Sequence, residues 1–331
     1  MDVAVIGGGS WGTALAIALS AKENYRIVLW IRSYVTYRSI ILKRCNEIYL
    51  PEIRIPSSVM PIMDPEEAVR GKRLVILAVP SDFMRRTIRD IRPHLDPVTS
   101  VVCASKSLEP ETHLRLSEVL EDELPTDLKR RTAIITGPGH AEELAQFIPA
   151  ALSISSVHAA AAKSVQELLV TDNFRLEYEP DLIGAELGGA VSNVAALACG
   201  IIEGSALGDG LRGNVLAALY RETVSLGRAL GAETAAFAGR SGLADFFSNC
   251  YSMYSRHRSL GKKLGEGRTL SEIRSRNNMV FEGISTLRSI FTLSRQAGLD
   301  SPLIDCFFRI LFEGESPLKI FNIIAPKNFK K

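Results

Sequence analysis

Val3-Ala-Val-Ile-Gly-Gly-Gly-Ser-Trp-Gly12 opens the chain and decides how the rest is read. An apolar run from Val3 to Ile6 makes a short strand, glycines at 7, 9 and 12 make a turn, and the apolar-rich stretch Thr13 to Ala21 makes a helix. Each glycine has its own physical reason. Gly7 permits the tight turn, Gly9 lets backbone approach a pyrophosphate, and Gly12 lets helix and strand pack closely. The helix start, with Ser10 and Trp11, offers N–H groups and the positive end of its dipole to phosphates. The glycine pattern alone is a weak signal. The strand before it and the helix behind it make it a dinucleotide-binding turn.

Outward from this turn, Arg26 to Trp30 reads as a second strand. The residue after that strand selects the cofactor's ribose, and an acid there would accept from the 2′-hydroxyl. This chain has Ile31-Arg32-Ser33 and no acid. Arg32 suits a 2′-phosphate or stacks on adenine, so NADP(H) is favoured over NAD(H). Tyr34 to Glu47 reads as a helix carrying Asn46, ended by Tyr49-Leu-Pro51. Strands follow at Leu74–Val79, Thr99–Ala104, Thr132–Ile135, Ala151–Ser155 and Phe174–Tyr178, with a helix at Ala159–Val170.

Ligands of open α/β sheets gather outside the carboxyl ends of the strands. Pro80-Ser81 therefore lines the nicotinamide side. Lys106, just past its strand, sits where an ammonium binds an anion or polarises a carbonyl, although most surface lysines do neither. Gly137-Pro-Gly139 brings backbone close to a neighbour, and His140 behind it is a helix-start residue or a site residue.

From Asp181 the strand–helix alternation stops. Helical patterns run over Glu186–Ile202, Asn214–Leu230, Gly242–Cys250, Leu270–Arg274, Gly283–Ala297 and Pro302–Leu311. The first is rich in small residues, which allow close approach of another helix or a cofactor. The fold class is α/β: an N-terminal Rossmann-type dinucleotide-binding domain over 1–182, then an all-helical domain over 183–331, to which the resemblance described below assigns substrate and catalysis.

Composition narrows the function classes. The 331 residues are 46% hydrophobic with a net charge of +2, too small a charge to suggest nucleic acid. The clusters Lys129-Arg-Arg131 and Lys327 to Lys331 read as solvated surface. Five cysteines, at 45, 103, 199, 250 and 306, stand singly and suggest neither a zinc site nor a disulfide framework. No metal site is expected, and the cysteines fit a reducing cytoplasm. No apolar run approaches the roughly 18 residues that would span a bilayer, so stable membrane insertion is not expected.

Several islands together resemble the NAD(P)-dependent glycerol-3-phosphate dehydrogenases. They are Gly7-Gly-Gly-Ser-Trp-Gly-Thr-Ala-Leu-Ala16, Asn46 with Tyr49-Leu-Pro51, Val79-Pro-Ser81, Ser105-Lys106, and Gly137-Pro138 with Ala141-Glu142-Glu143. Glu186-Leu-Gly-Gly-Ala190 with Asn193, Gly242-Leu-Ala-Asp245, Cys250, Ser255-Arg256 with Arg258, and Glu282-Gly283 continue the series in the family's order. The resemblance implies hydride transfer between a nicotinamide and dihydroxyacetone phosphate or sn-glycerol 3-phosphate, a small phosphorylated triose, and leaves a homodimer open. It places Ser10, Trp11, Arg32, Lys106, Ala141, Arg256, Val280 and Glu282 at the cofactor. Lys106, Gly137, Gly139, Asp245, Ser255 and Arg256 surround the substrate.

Three departures fall at the substrate end. The family's Gly-Ala-x-Lys-Asn is Gly189-Ala-Val-Ser192-Asn193 here, and that lysine is the family's proposed acid/base. No lysine occurs between Lys163 and Lys262 to replace it. The family's Ser-Arg-Asn is Ser255-Arg256-His257, and the segment Gly204 to Asn214 carries an insertion before Arg221. Ketone reduction needs a proton donor or cation at the carbonyl oxygen, commonly worth about 10²–10⁴-fold in rate. Serine cannot supply that proton alone at neutral pH. Lys106 is the best remaining cation, His140 and His257 are the titratable alternatives, and Arg256 with His257 would still bind a phosphate. The catalytic candidates are Lys106, Asp245 and position 192. A polar space left by the shorter side chain is expected to hold water, with Asp245 and Asn193 as partners. Two other readings stand beside the dehydrogenase: a cofactor-binding homologue without catalysis, and a reductase of a different small ketone.

Overall fold

The computed structural model describes residues 1–275 and 280–325, so the basic tail Lys327 to Lys331 lies outside the described residues. The chain divides into two compact units, Met1–Lys106 with Leu114–Leu182, and Ser107–His113 with Ile183–Lys331.

The first unit carries ten strands: β1 (Asp2–Ile6), β2 (Arg26–Trp30), β3 (Cys45–Asn46), β4 (Leu50–Arg54), β5 (Val59–Ile62), β6 (Leu74–Leu77), β7 (Ser100–Cys103), β8 (Thr132–Thr136), β9 (Ala150–Ser155) and β10 (Phe174–Tyr178). Eight of them form one sheet in the order β10-β9-β8-β7-β6-β1-β2-β5. Every neighbouring pair is parallel except β8 and β9, which run antiparallel with Ile135 opposite Ile154. Successive residues of β1 point to opposite faces. Val3 and Val5 enter one core with the helix Ser10–Leu19, and Ala4 and Ile6 enter another with Met84, Ile88 and Val119. A sheet covered on both faces explains why these strands read as unbroken apolar runs.

Two local structures depart from the sequence expectations. The helix from Tyr34 ends at Lys43, because Arg44 takes a left-handed conformation with φ 52°. Cys45–Asn46 then pairs antiparallel with Leu50–Arg54 instead of continuing the helix to Glu47. The buried Asn46 explains this turn, since its amide donates to the carbonyl of Gly8 at 3.0 Å and to the Thr13 hydroxyl at 2.9 Å. The second departure is β5, an edge strand containing Pro61. Proline is confined to edges because it cannot donate to a ladder.

In the second unit every regular element among the described residues is helical. Ser107–His113 joins it through local contacts: Leu108 is fully buried in its core, Ser107 bonds Thr286 at 2.9 Å and His113 bonds Ser289 at 3.0 Å. The helix Leu182–Gly204 is the axis of this unit. Contrary to the expectation from sequence, it is long and apolar enough to cross a membrane, with mean hydropathy 1.5 over its best window, and that window is wholly buried. Its small residues admit a neighbouring backbone. A Cβ added at Gly200 would lie 2.0 Å from the Arg258 carbonyl oxygen, and one at Gly261 would lie 2.1 Å from that of Leu197. The partner is the helix Arg256–Gly265, which a sparse apolar pattern had hidden in the sequence. The glycine-rich insertion resolves into a turn at Gly208, with φ 84°, and the first turns of the helix Asp209–Ala229.

Candidate active site

In the first unit the glycine turn has the geometry its residues require. Gly7 has φ 129°, and a Cβ there would meet the Ala78 carbonyl oxygen at 2.5 Å. A Cβ at Gly12 would lie 2.0 Å from the Gly7 carbonyl oxygen. At Gly9 a Cβ would meet nothing within 4 Å, so the loop is closed on the protein side and open on the other. Gly9 is the N-cap of the helix Ser10–Leu19, no side chain caps that helix start, and its first turn holds no acid. A helix start so arranged fits an anionic group, and a pyrophosphate in particular.

Arg32 follows β2 and stacks its guanidinium 4.6 Å from the ring centroid of Phe83. Phe83 lies in the first turn of the helix Ser81–Ile91, behind Pro80-Ser81. The pair forms a cationic, flat-faced platform past the ends of β2 and β6, suited to a purine and its ribose phosphate. Trp11 packs its ring against Gly139, where a Cβ would come within 2.9 Å of it. The Gly-Pro-Gly turn is thus held by an indole from the nucleotide loop.

That turn reaches Lys106. The Lys106 ammonium donates to the Gly137 carbonyl at 3.0 Å, and Gly137 takes φ 114°. Ala141, buried, begins the short helix Ala141–Ala145, with His140 as its N-cap. Burial and then the Lys106 charge push the His140 imidazole down to about 4. At neutral pH it is therefore neutral and is no proton-bearing imidazolium. Of the sequence candidates in this unit, the structure brings Lys106, Gly137, Gly139, His140 and Trp11 into one neighbourhood.

In the second unit the carboxylate of Asp245 stands at the start of the helix Asp245–Tyr251, directly after a π-helical turn at Arg240–Ala244. Single π turns inside helices re-aim side chains at functional sites. Gly188 lets the long helix close on that turn, since a Cβ there would lie 2.6 Å from the Ser241 carbonyl oxygen. Ser192 and Asp245 are 0% and 1% exposed, and their side-chain oxygens Oγ and Oδ2 are 3.0 Å apart. An amide from the same helix as Asp245 joins them: Asn249 Nδ2 lies 2.9 Å from Ser192 Oγ and 3.1 Å from Asp245 Oδ1.

Ser255 caps the helix Arg256–Gly265 by accepting from the Arg258 N–H at 3.3 Å, and exposed Arg256 begins that helix. A cationic side chain at a helix start suits a phosphate. The Nε2 of His257 accepts from the Gly283 N–H at 3.0 Å. This fixes the neutral tautomer with hydrogen on Nδ1 and makes His257 a tie to the start of the helix Glu282–Gln296. A Cβ at Gly283 would press His257 at 2.8 Å and the Asn193 carbonyl at 3.1 Å, so Asn193, His257 and Glu282-Gly283 are neighbours. Val280 precedes them, 37% exposed.

Sequence reasoning missed Phe83 and Asn249. The signal for Asn249 was its spacing of four from Asp245, which places both on one helical face. Phe83 carried no local signal.

Comparisons with known proteins cover both halves of the chain. Residues 2–162 match the model of the NAD-dependent glycerol-3-phosphate dehydrogenase N-terminus, and residues 181–322 match that of the C-terminus. A curated glycerol-3-phosphate dehydrogenase, NAD(P)+, of Halalkalibacterium halodurans is 37% identical over 316 residues, covering 96% of this chain and 91% of the relative. The same enzyme of Moorella thermoacetica is 39% identical over 314 residues, covering 95% and 92%. The crystal structure of glycerol-3-phosphate dehydrogenase from Coxiella burnetii superposes with a TM-score of 0.88 at 29% identity, covering 98% of this chain and 99% of that one. With both halves of the chain matched and both relatives close to full length, this chain belongs to the NAD-dependent glycerol-3-phosphate dehydrogenase family.

Proposed function

We propose that the chain catalyses reversible hydride transfer between NAD(P)H and dihydroxyacetone phosphate or sn-glycerol 3-phosphate. The observation that carries the reading is the glycine turn, shut at Gly7 and Gly12, open at Gly9, and followed by an uncapped helix start. Gly7, Gly9, Ser10, Trp11 and Gly12 hold the pyrophosphate, and Arg32 with Phe83 takes the adenosine end. Arg32 brings positive charge to the ribose and favours NADP(H). The nicotinamide, when bound, supplies or accepts the hydride.

The chain's own residues supply the rest. Lys106, already oriented by Gly137, polarises the substrate carbonyl and stabilises the negative charge that develops on its oxygen, and the proton that completes the hydroxyl comes from the Lys106 ammonium or from a water it holds. Neutral His140 beside it keeps a second cation away. Ser255 and Arg256 receive the substrate phosphate, and Asp245 orients the reacting end. Val280 and Glu282, with Ala141, complete the cofactor contacts implied by the family. Four buried free cysteines and a half-buried fifth suit a reducing, cytoplasmic compartment.

The test is turnover by purified protein with NADPH or NADH and dihydroxyacetone phosphate, beside a lysine-containing relative under the same conditions. Cofactor oxidation is expected. Nucleotide binding without turnover would move the assignment to a non-catalytic homologue, and turnover confined to another ketone would change the substrate.

A further inference from the structure

Three side chains of the second unit close on one another: Ser192 from the helix Leu182–Gly204, and Asp245 with Asn249 from the helix Asp245–Tyr251. The Ser192 Oγ to Asp245 Oδ2, Asn249 Nδ2 to Asp245 Oδ1 and Asn249 Nδ2 to Ser192 Oγ separations are 3.0, 3.1 and 2.9 Å. Proton accounting makes this a directed ring. An amide nitrogen has two hydrogens and no lone pair to give. One hydrogen goes to each of the two oxygens it faces. The serine oxygen, having accepted from Asn249, has one proton left, and Asp245 Oδ2 at 3.0 Å and the Gly189 carbonyl at 2.8 Å are its acceptors.

The ring has two consequences. The Asp245 carboxylate is gripped through both oxygens, which fixes its plane. The Ser192 proton is committed to the Asp245 carboxylate or the Gly189 carbonyl, on a side chain that is 0% exposed, and is not offered to a substrate. Both follow from one change of residue type at 192 combined with an amide at 249. A long side chain at 192 pointing toward Asp245 would enter the volume the Asn249 amide fills.

We infer that Asn249 is the positioning residue for Asp245 in this chain, and that it works as a pair with Ser192 in place of the lysine the family pattern puts at 192. The inference rests on the dehydrogenase reading above. It makes the two positions interdependent: a lysine at 192 functions only when Asn249 is shortened.

The experiment compares wild type, Ser192→Lys, Asn249→Ala and the double variant in dihydroxyacetone phosphate reduction with NADPH. Asn249→Ala is expected to lower kcat at least about tenfold while leaving the KM for NADPH unchanged, a split that general loosening of the fold would not give. Ser192→Lys alone is expected to give no gain. The double variant is expected to exceed Asn249→Ala in kcat by at least about tenfold, the low side of a restored acid/base group. An unchanged kcat in Asn249→Ala, or a gain in Ser192→Lys equal to that of the double variant, overturns the inference.

A second measurement needs no turnover and no buried lysine. Urea unfolding of Ser192→Ala, Asn249→Ala and their double variant is expected to show a combined loss clearly smaller than the sum of the two, because either truncation already opens the ring. Additive losses overturn the inference. If wild type shows nucleotide binding but no turnover, the dehydrogenase reading fails, and the unfolding cycle still decides whether Asn249 and Ser192 act as a pair.

Discussion

Lys106 and His140 sit on neighbouring loops at the carboxyl end of the sheet, and one sets the chemistry of the other. Burial and the nearby ammonium hold the His140 imidazole at about 4. Lys106→Ala removes one of those two causes. The His140 value is then expected to rise yet stay below that of a free imidazole, because burial remains, and an NMR titration of the ring checks it. The same variant is expected to cut kcat at least about 10²-fold with nucleotide affinity kept. Unchanged kinetics would remove Lys106 from the reacting centre. Arg32 gives a separate test at the other end of the cofactor. If its guanidinium reads a 2′-phosphate from its seat over Phe83, Arg32→Ala weakens NADPH binding far more than NADH binding in a fluorescence titration. Equal weakening of both would mean that it only stacks.

At the level of elements, the signals that were legible are the ones with a strong local cause. The strand-turn-helix around Gly7 to Gly12 and the long small-residue helix follow from glycine placement and apolar runs. Elements whose cause is tertiary did not announce themselves. Cys45–Asn46 becomes a strand because Asn46 is pulled beneath the nucleotide loop. The helix Arg256–Gly265 has a sparse apolar face, Leu260 with Leu264, and is held also by close backbone contact with Gly200 and Gly204. The chemistry of position 192 was legible only by half: the missing lysine showed, whereas the amide that meets Ser192 came from another helix. The glycine contact carries its own prediction. Gly200→Ala must push Arg258 and Lys262 backbone away from a new Cβ. Overpacking of this kind costs about 1–3 kcal/mol, so a lowered urea midpoint is expected, together with weaker phosphate-substrate binding as Arg256 shifts with its helix. An unaltered midpoint would show that the two helices separate freely.

Between pH 7 and 5, Glu222 of the helical unit and His140 of the sheet unit answer acid in opposite ways. In the first unit, Glu123 lies among Arg85, Arg89 and Arg92, and hydrogen bonds from Arg89 and Arg85 outweigh its burial and hold its carboxyl at about 2. A carboxyl lowered by folding contributes stability above its unfolded value near 4.5 and loses it as pH falls toward 2. His140 acts in the same direction over a higher range, since a neutral buried imidazole is favoured above about 6.5 and opposed by protonation down to about 4. In the second unit, Glu222 caps the helix Pro302–Phe312 by accepting from the Leu303 and Ile304 N–H groups, each at 2.9 Å. Burial nonetheless pushes its carboxyl up to about 7. A raised carboxyl keeps its full contribution below about 4.5 and loses it as pH rises toward 7. Acidification from pH 7 to 5 should therefore firm the helical unit through Glu222 while His140 weakens the sheet unit, and below pH 4.5 the loss at Glu123 deepens that weakening. Both tryptophans, Trp11 and Trp30, lie in the first unit, so their fluorescence follows it selectively, whereas far-UV circular dichroism is dominated by helix. Thermal melts at pH 7, 5 and 3.5 are expected to show the fluorescence midpoint falling throughout and the dichroism midpoint rising between pH 7 and 5. Glu222→Gln should abolish that rise and leave the tryptophan trend as it was. Midpoints that move together at every pH, or a rise that survives Glu222→Gln, would refute this division of labour.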